Sequence, residues 1–389
     1  MDTDALKHTW GLVEKAGDEV PLFFYSHLFL AHPELRSMFP VSMAAQRDRL
    51  VGALGRIVSH VDELDEVVGF VEQLGRDHRR FNVIAAHYGA VGASLLVTLK
   101  HFLGSGWTAE LAADWADAYG LIAKVMVQAA EQSEDTSPPS WAAEVLAVDR
   151  RSLDVAVVQV RPETELMFEP GQSVAVEAPQ RPRTWRYLSP ANAPRSNGTI
   201  EFHVQMVPGG PFSATILRSL RAGDTVRIGA PIGEALTLPE DNTRDLLMVA
   251  GATGLAPLRA HLERIDRAWE ETGRAPRVHL FHGARYPWNL YEDKLMRALA
   301  TRPWFDYTPV VSEDSTYPGE RGLVGDVAAA QDWTGRIALV CGSVPMVEHT
   351  TRLLEVRGMP QDDIKYEKFA TTIMASEPWD SSKELGEPA

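Results

Sequence analysis

The sequence predicts a multidomain protein with an all-α domain, an antiparallel β-barrel domain and a doubly wound α/β domain, in that order. From residue 3 to about residue 132, apolar residues recur every three or four positions, as on the buried face of a helix. After Trp141 the pattern changes to short alternating or β-branched runs with turn residues between them, which is typical of a small barrel. From Asp245 strand-like and helix-like segments alternate, which predicts a parallel sheet.

We place the domain boundaries at these changes of pattern. The all-α domain covers residues 1–133, and the polar, proline-rich segment 134–140 forms a linker. The β-barrel domain covers residues 141–240, and the α/β domain covers residues 241–375. A polar C-terminal tail, 376–389, follows. A chain of 389 residues is too long for one hydrophobic core, so several domains are expected.

Six or seven helices are expected in the all-α domain. Asp18 and Thr108 are residues of the type that caps a helix N-terminus, and Pro21 and Pro33 stand where first-turn prolines belong. In the later domains the elements are short and are separated by Gly, Pro and Asn turns. Strands are predicted at 143–148, 153–160, 172–177, 199–206, 224–229, 246–250, 278–281, 307–311 and 337–340, and helices at 213–221, 257–269, 291–300 and 344–357.

The composition argues against several classes of protein. The formal net charge of −15 disfavours a nucleic-acid or anionic-membrane partner, since both attract clustered Lys and Arg. Cys341 is the only cysteine, so no intrachain disulfide can form, which suits a reducing compartment. The N-terminus lacks a signal-peptide pattern, and the longest apolar run, 88–99, is too short to cross a bilayer. We expect a cytoplasmic protein without an integral membrane segment or a nucleic-acid partner, and we expect a monomer.

His78 is the candidate metal ligand of the all-α domain. A lone histidine is more often a structural residue, but one neutral imidazole suffices to hold a haem iron. The segment 22–50 supplies residues for the opposite wall of a haem pocket. Tyr25 needs a partner for its hydroxyl, and Gln46 and Leu50 lie four residues apart on one helix face. Taken singly, each of these residues also fits an ordinary core or surface position.

The resemblance to a known family lies in the whole set of these residues. They occur in the string Phe24-Tyr25-x-x-Leu28-Phe29-x-x-His32-Pro33-Glu34-Leu35-x-x-Met38-Phe39, followed by Gln46, Leu50, His78-x-x-Phe81, Tyr88 and Trp115-x-x-x-Tyr119-Gly120. This set resembles the globin domain of the flavohaemoglobin family. The resemblance implies that His78 is the proximal iron ligand and that Phe39, Leu50 and Phe81 line the haem. It also implies that Tyr25 and Gln46 hold O2 on the distal side.

The family also places two residues beside the proximal histidine. Tyr88 matches one of them. The other is a glutamate near the end of the last globin helix, where an ungapped alignment puts Gln132, with Glu131 one residue before it. The resemblance makes Glu131 the candidate for this role. A slip of one residue turns a helix position by about 100°, so it stays open whether Glu131 reaches His78.

The two later domains resemble the ferredoxin–NADP-reductase superfamily. In Trp185-Arg186-Tyr187-Leu188-Ser189 the resemblance makes Arg186 a ligand of the FAD pyrophosphate and Tyr187, Leu188 and Ser189 contacts of the flavin ring. Leu188 stands where an aromatic residue is usual, and Ser173 stands where a flavin-contacting tyrosine is common. Gly210, Phe212 and Ser213 open a short helix whose free N–H groups suit the FAD pyrophosphate, although a plain turn would show the same pattern.

The nicotinamide nucleotide is expected at the segment Gly251-Ala252-Thr253-Gly254-Leu255-Ala256-Pro257, which follows a strand and starts a helix. It resembles the superfamily's Gly-x-Gly-x-x-Pro loop, with residues 252–257 as the contacts. Ala252 replaces the first glycine, and its methyl group would narrow the approach of a phosphate. His282-Gly283-Ala284-Arg285 matches a later motif, and Phe369 stands where relatives place an aromatic near the flavin.

The resemblance implies three cofactors, haem b with its iron, FAD and NAD(P)H. It also implies an enzyme that oxidises nitric oxide to nitrate with O2, a nitric oxide dioxygenase. Two alternatives stay open. A divergent member of the family could take electrons from another donor, such as a hydroxy acid or a quinol, because Gln132, Ser173, Leu188 and Ala252 depart from the usual motifs. The chain could also be a haem-based gas or redox sensor with little turnover, although the sequence shows no added output domain.

Overall fold

The computed structural model describes residues 1–369, apart from the side chains of residues 64–66 and 369. The described chain divides into two compact units, residues 1–140 and residues 141–369. The predicted domain boundaries stay predictions, because this division does not separate the barrel from the α/β domain. The predicted tail, 376–389, and the last part of the predicted α/β domain, 370–375, lie outside the described residues.

Unit 1 is all-α, as predicted. The α-helices in its described residues are α1 (Thr3–Glu14), α2 (Glu19–Ala31), α3 (Ala44–Ser59), α4 (Leu64–His78), α5 (Ala85–Leu103) and α6 (Ala109–Glu134). Thr108 caps α6 as predicted, because its hydroxyl accepts a hydrogen bond from the Leu111 N–H at 3.2 Å. The prediction for Asp18 is wrong. Its backbone is already helical and its side chain makes no capping hydrogen bond to α2.

The helix that ends at His78 packs in a small core of its own. Val71 of α4 is buried there with Ile57 and Met126. α4 and α6 pack closely because Gly75 has no side chain, and a Cβ atom there would lie 2.2 Å from the backbone oxygen of Met126. His78 follows Gly75 by three residues, so this close packing fixes its position.

The first part of unit 2 is an antiparallel six-stranded sheet in the order β4-β3-β6-β1-β2-β5. Pro190, just after β4, forms a bridge with Phe202 on β5, which brings the two edges of the sheet together. The predicted barrel class is confirmed. Its elements are β1 (Trp141–Arg150), β2 (Val155–Pro162), β3 (Ser173–Glu177), β4 (Trp185–Leu188), β5 (Ile200–Gln205), α7 (Pro211–Arg218) and β6 (Thr225–Ile232).

The second part of unit 2 is a parallel sheet in the order β10-β9-β8-β7-β11-β12, with helices between its strands. This is the predicted doubly wound arrangement. Its elements are β7 (Leu246–Gly251), α8 (Leu255–Thr272), β8 (Val278–Ala284), α9 (Asp293–Leu299), β9 (Phe305–Val311), β10 (Glu320–Arg321), α10 (Val324–Ala329), β11 (Ile337–Ser343), α11 (Val344–Val356) and β12 (Ile364–Phe369).

Among the described residues, no single helix has the length and apolar composition of a membrane span. Residues 67–81 and 85–106 meet that test only as a pair, and the two helices are bent by 113°.

Candidate functional site

The predicted distal residues of unit 1 lie together. Gln46 on α3 donates through Nε2 to the Tyr25 hydroxyl on α2 at 3.3 Å. The Tyr25 ring packs edge-on against Phe39 with ring centroids 5.6 Å apart, and its side chain is buried. Burial raises the pKa of Tyr25 to about 12, so the hydroxyl stays protonated and can donate a hydrogen bond. Leu50, half-buried on α3, packs against the same cluster.

The predicted iron ligand, His78, is the last residue of α4. Its Nδ1 lies 2.6 Å from the backbone oxygen of Leu74, so Nδ1 carries the proton and donates it to that oxygen. Burial lowers the pKa of His78, so the imidazole is neutral. The other nitrogen, Nε2, keeps its lone pair. A neutral imidazole with a fixed tautomer and one free nitrogen fits a haem iron.

The residues predicted around His78 divide into two groups. The rings of Phe81 and Tyr88 have centroids 6.3 Å and 6.4 Å from that of His78. Glu131 and Gln132 are exposed near the end of α6, and neither hydrogen bonds to His78 or Tyr88 among the described residues. The carbonyl of Leu74, which the sequence did not single out, therefore orients the imidazole.

The predicted flavin contacts gather around the end of β4 and the start of β3. Arg186 donates through Nη1 to the Trp185 carbonyl at 2.7 Å. Tyr187 and Leu188 are half-buried, and Ser189 is buried directly after the strand. The hydroxyls of Ser189 and Ser173 lie 3.1 Å apart. The serine that stands in place of the usual tyrosine therefore joins the serine of the flavin motif.

Glu367 on β12 completes this cluster and was missed by the sequence reasoning. Ser173 donates from Oγ to Glu367 Oε1 at 3.1 Å, while Oε2 is buried with no hydrogen-bond partner among the described residues. Burial raises the pKa of Glu367 to about 7. A buried oxygen without a partner fits the polar edge of a flavin ring, which carries both hydrogen-bond donors and acceptors. The predicted contact Phe369 lies two residues later, and its side chain is outside the described part of the chain.

The predicted pyrophosphate turn opens α7. Gly210 is the N-cap residue, and Phe212 and Ser213 are buried. The Ser213 hydroxyl serves the turn itself, since it accepts from the Val207 N–H at 3.0 Å and donates to the Gly210 carbonyl at 3.3 Å. Pro211, the first residue of α7, has no N–H, so the N–H groups of Phe212 and Ser213 are the donors at this helix start that a phosphate could use.

The predicted nicotinamide loop joins β7 to α8 through a 3-10 turn, Ala252–Gly254. Ala252 has φ +48°, a left-handed conformation that glycine adopts at lower cost. Gly254 is required for packing, because a Cβ there would lie 2.1 Å from the Cys341 carbonyl oxygen on β11. His282 on β8 hydrogen bonds through Nε2 to the Ala252 carbonyl at 3.0 Å.

The remaining predicted residues of this loop differ in accessibility. Thr253 is half-buried, whereas Leu255, Ala256 and Pro257 are buried at the start of α8. The turn follows the carboxyl end of a parallel strand, where doubly wound domains bind nucleotides. The partial exposure of residues 251–253 and the close packing at Gly254 fit a dinucleotide, whereas the three buried side chains at the start of α8 are part of the core.

Comparison with known proteins assigns each part of the chain to a family. Residues 22–126 match the Globin family, residues 143–236 match the oxidoreductase FAD-binding domain, and residues 248–352 match the oxidoreductase NAD-binding domain. These three matches confirm the predicted cofactor set of haem, FAD and a nicotinamide nucleotide.

Individual relatives match either almost the whole chain or about half of it. A flavohemoprotein of Bacillus subtilis (strain 168) is 22% identical over 391 residues, which cover 95% of this chain and 97% of that protein. The toluate 1,2-dioxygenase electron transfer component of Pseudomonas putida is 34% identical over 211 residues, covering 54% of this chain and 60% of that protein.

A solved structure agrees in fold. The flavohemoglobin from Malassezia yamatoensis, determined with bound FAD and haem, has a TM-score of 0.75 at 15% identity and covers 95% of this chain and 98% of that one. This chain combines, in order, a globin domain with FAD-binding and NAD-binding oxidoreductase domains, and a flavohemoprotein matches it over almost its whole length. The chain therefore belongs to the flavohaemoglobin family.

Proposed function

We propose that the protein is a nitric oxide dioxygenase that uses NAD(P)H, FAD and haem to oxidise nitric oxide to nitrate with O2. When bound, the flavin would accept a hydride and release electrons singly, and the haem iron would carry O2. The observation that carries the proposal is the hydrogen-bonded pair of the buried Tyr25 and the half-buried Gln46, in the same helical unit as a neutral His78 with a free Nε2. The Tyr25 hydroxyl and the Gln46 amide are hydrogen-bond donors, and such donors favour an oxygen ligand on which negative charge develops.

The residues of the chain have separate roles in this proposal. His78 holds the iron through Nε2, and the Leu74 carbonyl keeps its imidazole in one tautomer. Phe39, Leu50 and Phe81 line the haem. In unit 2, Arg186 and the first N–H groups of α7 bind the FAD pyrophosphate, and Ser173 and Ser189 contact the flavin. Residues 252–257 present their backbone to the nicotinamide nucleotide.

The test is consumption of nitric oxide by the purified, cofactor-loaded protein. With NADH or NADPH and O2 present, we expect nitrate to form as nitric oxide disappears. Turnover no faster than that of free haem plus free flavin would contradict the function and leave the fold untouched. Anaerobic bleaching of the flavin by candidate donors separates this proposal from the alternative of a hydroxy acid or quinol donor.

The cytoplasmic location and monomeric state remain part of the proposal.

A further inference from the structure

Two of the polar connections between the barrel and the α/β domain start on β5. Glu201 and His203 lie two residues apart on this strand, so their side chains point to the same face of the sheet. Both are buried, each with 6% of its surface exposed. Buried polar side chains need partners, and these two find theirs on the α/β domain.

Arg259 makes the first connection. It donates through Nη1 to Glu201 Oε2 at 2.5 Å and to the Ala191 carbonyl at 2.8 Å. Ala191 comes two residues after Ser189, at the exit of the flavin-binding strand. Arg259 itself is one turn into α8, the helix that starts directly after the nicotinamide loop. One guanidinium therefore links the flavin-binding strand to the nucleotide-binding helix.

The charge of Glu201 makes this link strong. Burial alone would raise the pKa of Glu201, but the positive charges and hydrogen bonds of Arg259 and Arg195 outweigh it and lower the pKa to about 2. Arg195 donates to Glu201 Oε1 at 3.0 Å. It also donates two hydrogen bonds, of 2.8 Å and 2.7 Å, to the carboxylate of Glu263 on α8. Removing one member of such a buried ionic group leaves the remaining charge buried with less opposite charge beside it, which is destabilising.

The second connection runs from β5 to the nicotinamide loop itself. His203 Nδ1 lies 2.8 Å from the Tyr291 hydroxyl. The Tyr291 ring packs edge-on against His282, with centroids 5.9 Å apart, and His282 hydrogen bonds to the Ala252 carbonyl. Burial lowers the pKa of His203 to about 3 and that of His282 to about 4, so both imidazoles are neutral. This connection therefore consists of packed neutral groups, whereas the first is ionic.

We infer that Arg259 is a positioning residue for hydride transfer, which fixes the separation between the flavin-binding strand and the nicotinamide loop. The inference rests on the proposed function for its NAD(P)H donor. In the step concerned, a bound dihydronicotinamide would give one hydride, a proton with two electrons, to a bound flavin. The nucleotide would be oxidised to NAD(P)⁺ and the flavin reduced by two electrons. Reacting atoms must approach to about 3–3.5 Å, and a displacement of about 1 Å can cost about 100-fold in rate.

The experiment compares Arg259→Gln with Arg267→Gln, in cofactor-loaded protein and without O2. Arg267 lies two turns further along α8 from the nicotinamide loop. Its partners in the described chain are the Pro194 carbonyl at 2.9 Å and Glu263 Oε1 at 3.5 Å, so it does not bind Glu201. Stopped-flow absorbance measures flavin bleaching by NADH and by NADPH. We expect Arg259→Gln to lower the limiting rate by about 10- to 100-fold with little change in the nucleotide dissociation constant, and Arg267→Gln to resemble the wild type.

A second measurement tests directly whether Arg259 fixes the position of the α/β domain relative to the barrel. Leu153 in the barrel and Val356 at the end of α11 have 99% and 77% of their surfaces exposed, so cysteines at these positions can carry spin labels. Pulsed electron resonance should give one narrow distance in the labelled parent and a broader or shifted distribution after Arg259→Gln. Arg259→Lys, which keeps the charge but not the fork of donors, should restore part of the rate and of the narrow distribution.

Several outcomes would overturn the inference. These are an unchanged limiting rate and distance in Arg259→Gln, an equal loss in Arg267→Gln, or a wild-type flavin that neither nucleotide bleaches. If Arg259→Gln does not fold, Glu201→Gln tests the same link, with the same loss of rate expected. A wild type that is bleached rapidly but does not consume nitric oxide would contradict the proposed function and leave this inference standing.

Discussion

At the residue scale, the distal wall of unit 1 depends on one hydroxyl. Tyr25 is buried against aromatic rings, and its oxygen accepts from Gln46. The hydroxyl donates a hydrogen bond of 3.4 Å to the Gln46 carbonyl, and burial keeps it protonated, so its hydrogen can turn from that carbonyl towards a ligand. The sequence identified both residues, because a tyrosine in an otherwise apolar helix needs a partner. It did not identify Glu367, because a single glutamate in a polar strand looks exposed.

The first prediction concerns Tyr25→Phe. This change removes the hydroxyl and keeps the ring, so the core should stay intact while O2 loses a charge-assisted hydrogen bond. We expect O2 to dissociate about 10- to 100-fold faster from the reduced protein, measured by stopped-flow displacement with carbon monoxide. Phe24→Leu, in the same helix but without a hydroxyl to lose, is the control. An unchanged O2 dissociation rate in Tyr25→Phe would contradict the distal role.

The second prediction concerns the pH dependence of Glu367. Burial raises its pKa to about 7 from an ordinary value of 4.5. Between these pH values the folded protein holds a proton that the unfolded chain has released, so the free energy of unfolding falls as the pH rises through this window. In flavin-free protein, the wild type should lose more unfolding free energy between pH 5 and pH 7.5 than Glu367→Gln does. The expected difference is on the order of 1–3 kcal/mol, measured by urea unfolding at the two pH values.

The control for this variant is Glu240→Gln, which changes an exposed carboxylate in the same unit. It should leave the pH slope as it is in the wild type. If Glu367→Gln kept the full wild-type slope, the buried carboxylate would not be the titrating group.

The third prediction concerns the choice between NADH and NADPH. Arg285 follows β8 and Glu313 follows β9, and the Arg285 Nε lies 3.6 Å from Glu313 Oε1. In nucleotide-binding domains of this class, an acidic side chain accepts a hydrogen bond from the ribose 2′-hydroxyl of NAD. In domains that bind NADP, an arginine accommodates the 2′-phosphate. With Glu313 against Arg285, a 2′-phosphate would meet a carboxylate.

We therefore expect NADH to bind more tightly than NADPH, and Glu313→Gln to narrow that preference by about fivefold, which corresponds to about 1 kcal/mol. The measurement is titration of each nucleotide by flavin difference spectroscopy. Glu320→Gln, on the exposed strand β10, is the matched control. A wild type that prefers NADPH would refute the assignment of Glu313.

At the element scale, close contacts of helices with their neighbours position His78 and the nicotinamide loop, and glycines allow those contacts. α4 approaches α6 only because Gly75 lacks a side chain, and α8 approaches β11 only because Gly254 does. Apolar periodicity predicted that these helices exist, but it carries no information about which residue faces a neighbouring backbone. The sequence missed β10, α10 and β12 for a different reason, which is that none of them has a long apolar pattern. β10 has two residues, α10 six, and β12 alternates charged and apolar side chains.

The fourth prediction compares two glycines of α4. Gly75→Ala would place a methyl group 2.2 Å from the Met126 carbonyl oxygen, so α4 must shift and His78 with it. We expect unit 1 to lose about 1–3 kcal/mol of stability and to release haem faster. At Gly69 nothing lies within 4 Å of the added atom, so Gly69→Ala should be neutral or stabilise by about 0.5–1 kcal/mol. Equal effects of the two changes, measured by thermal unfolding and haem transfer to apomyoglobin, would contradict this account.

At the scale of the whole molecule, the sequence predicted the three fold classes and their order. That success has a physical basis, because the hydrophobic period of a long segment is set by the class of structure that buries it. The finer assignments depend on tertiary contacts. A one-residue slip separates Glu131 from Gln132, and the structure leaves both exposed. The link from Arg259 to Glu201 joins residues 58 positions apart in the chain, so no local pattern could indicate it.

The central claim is that His78 holds a haem iron in a chain that also binds a flavin. The two units have separate cores, so loss of the iron ligand should leave unit 2 folded. The most direct test is the absorption spectrum of His78→Ala, purified from haem-replete cells beside the wild type. We predict that the wild type shows a Soret band and flavin shoulders, and that the variant loses the Soret band but keeps the flavin and its bleaching by NAD(P)H. Full haem content in the variant, or a colourless wild type, would contradict the account.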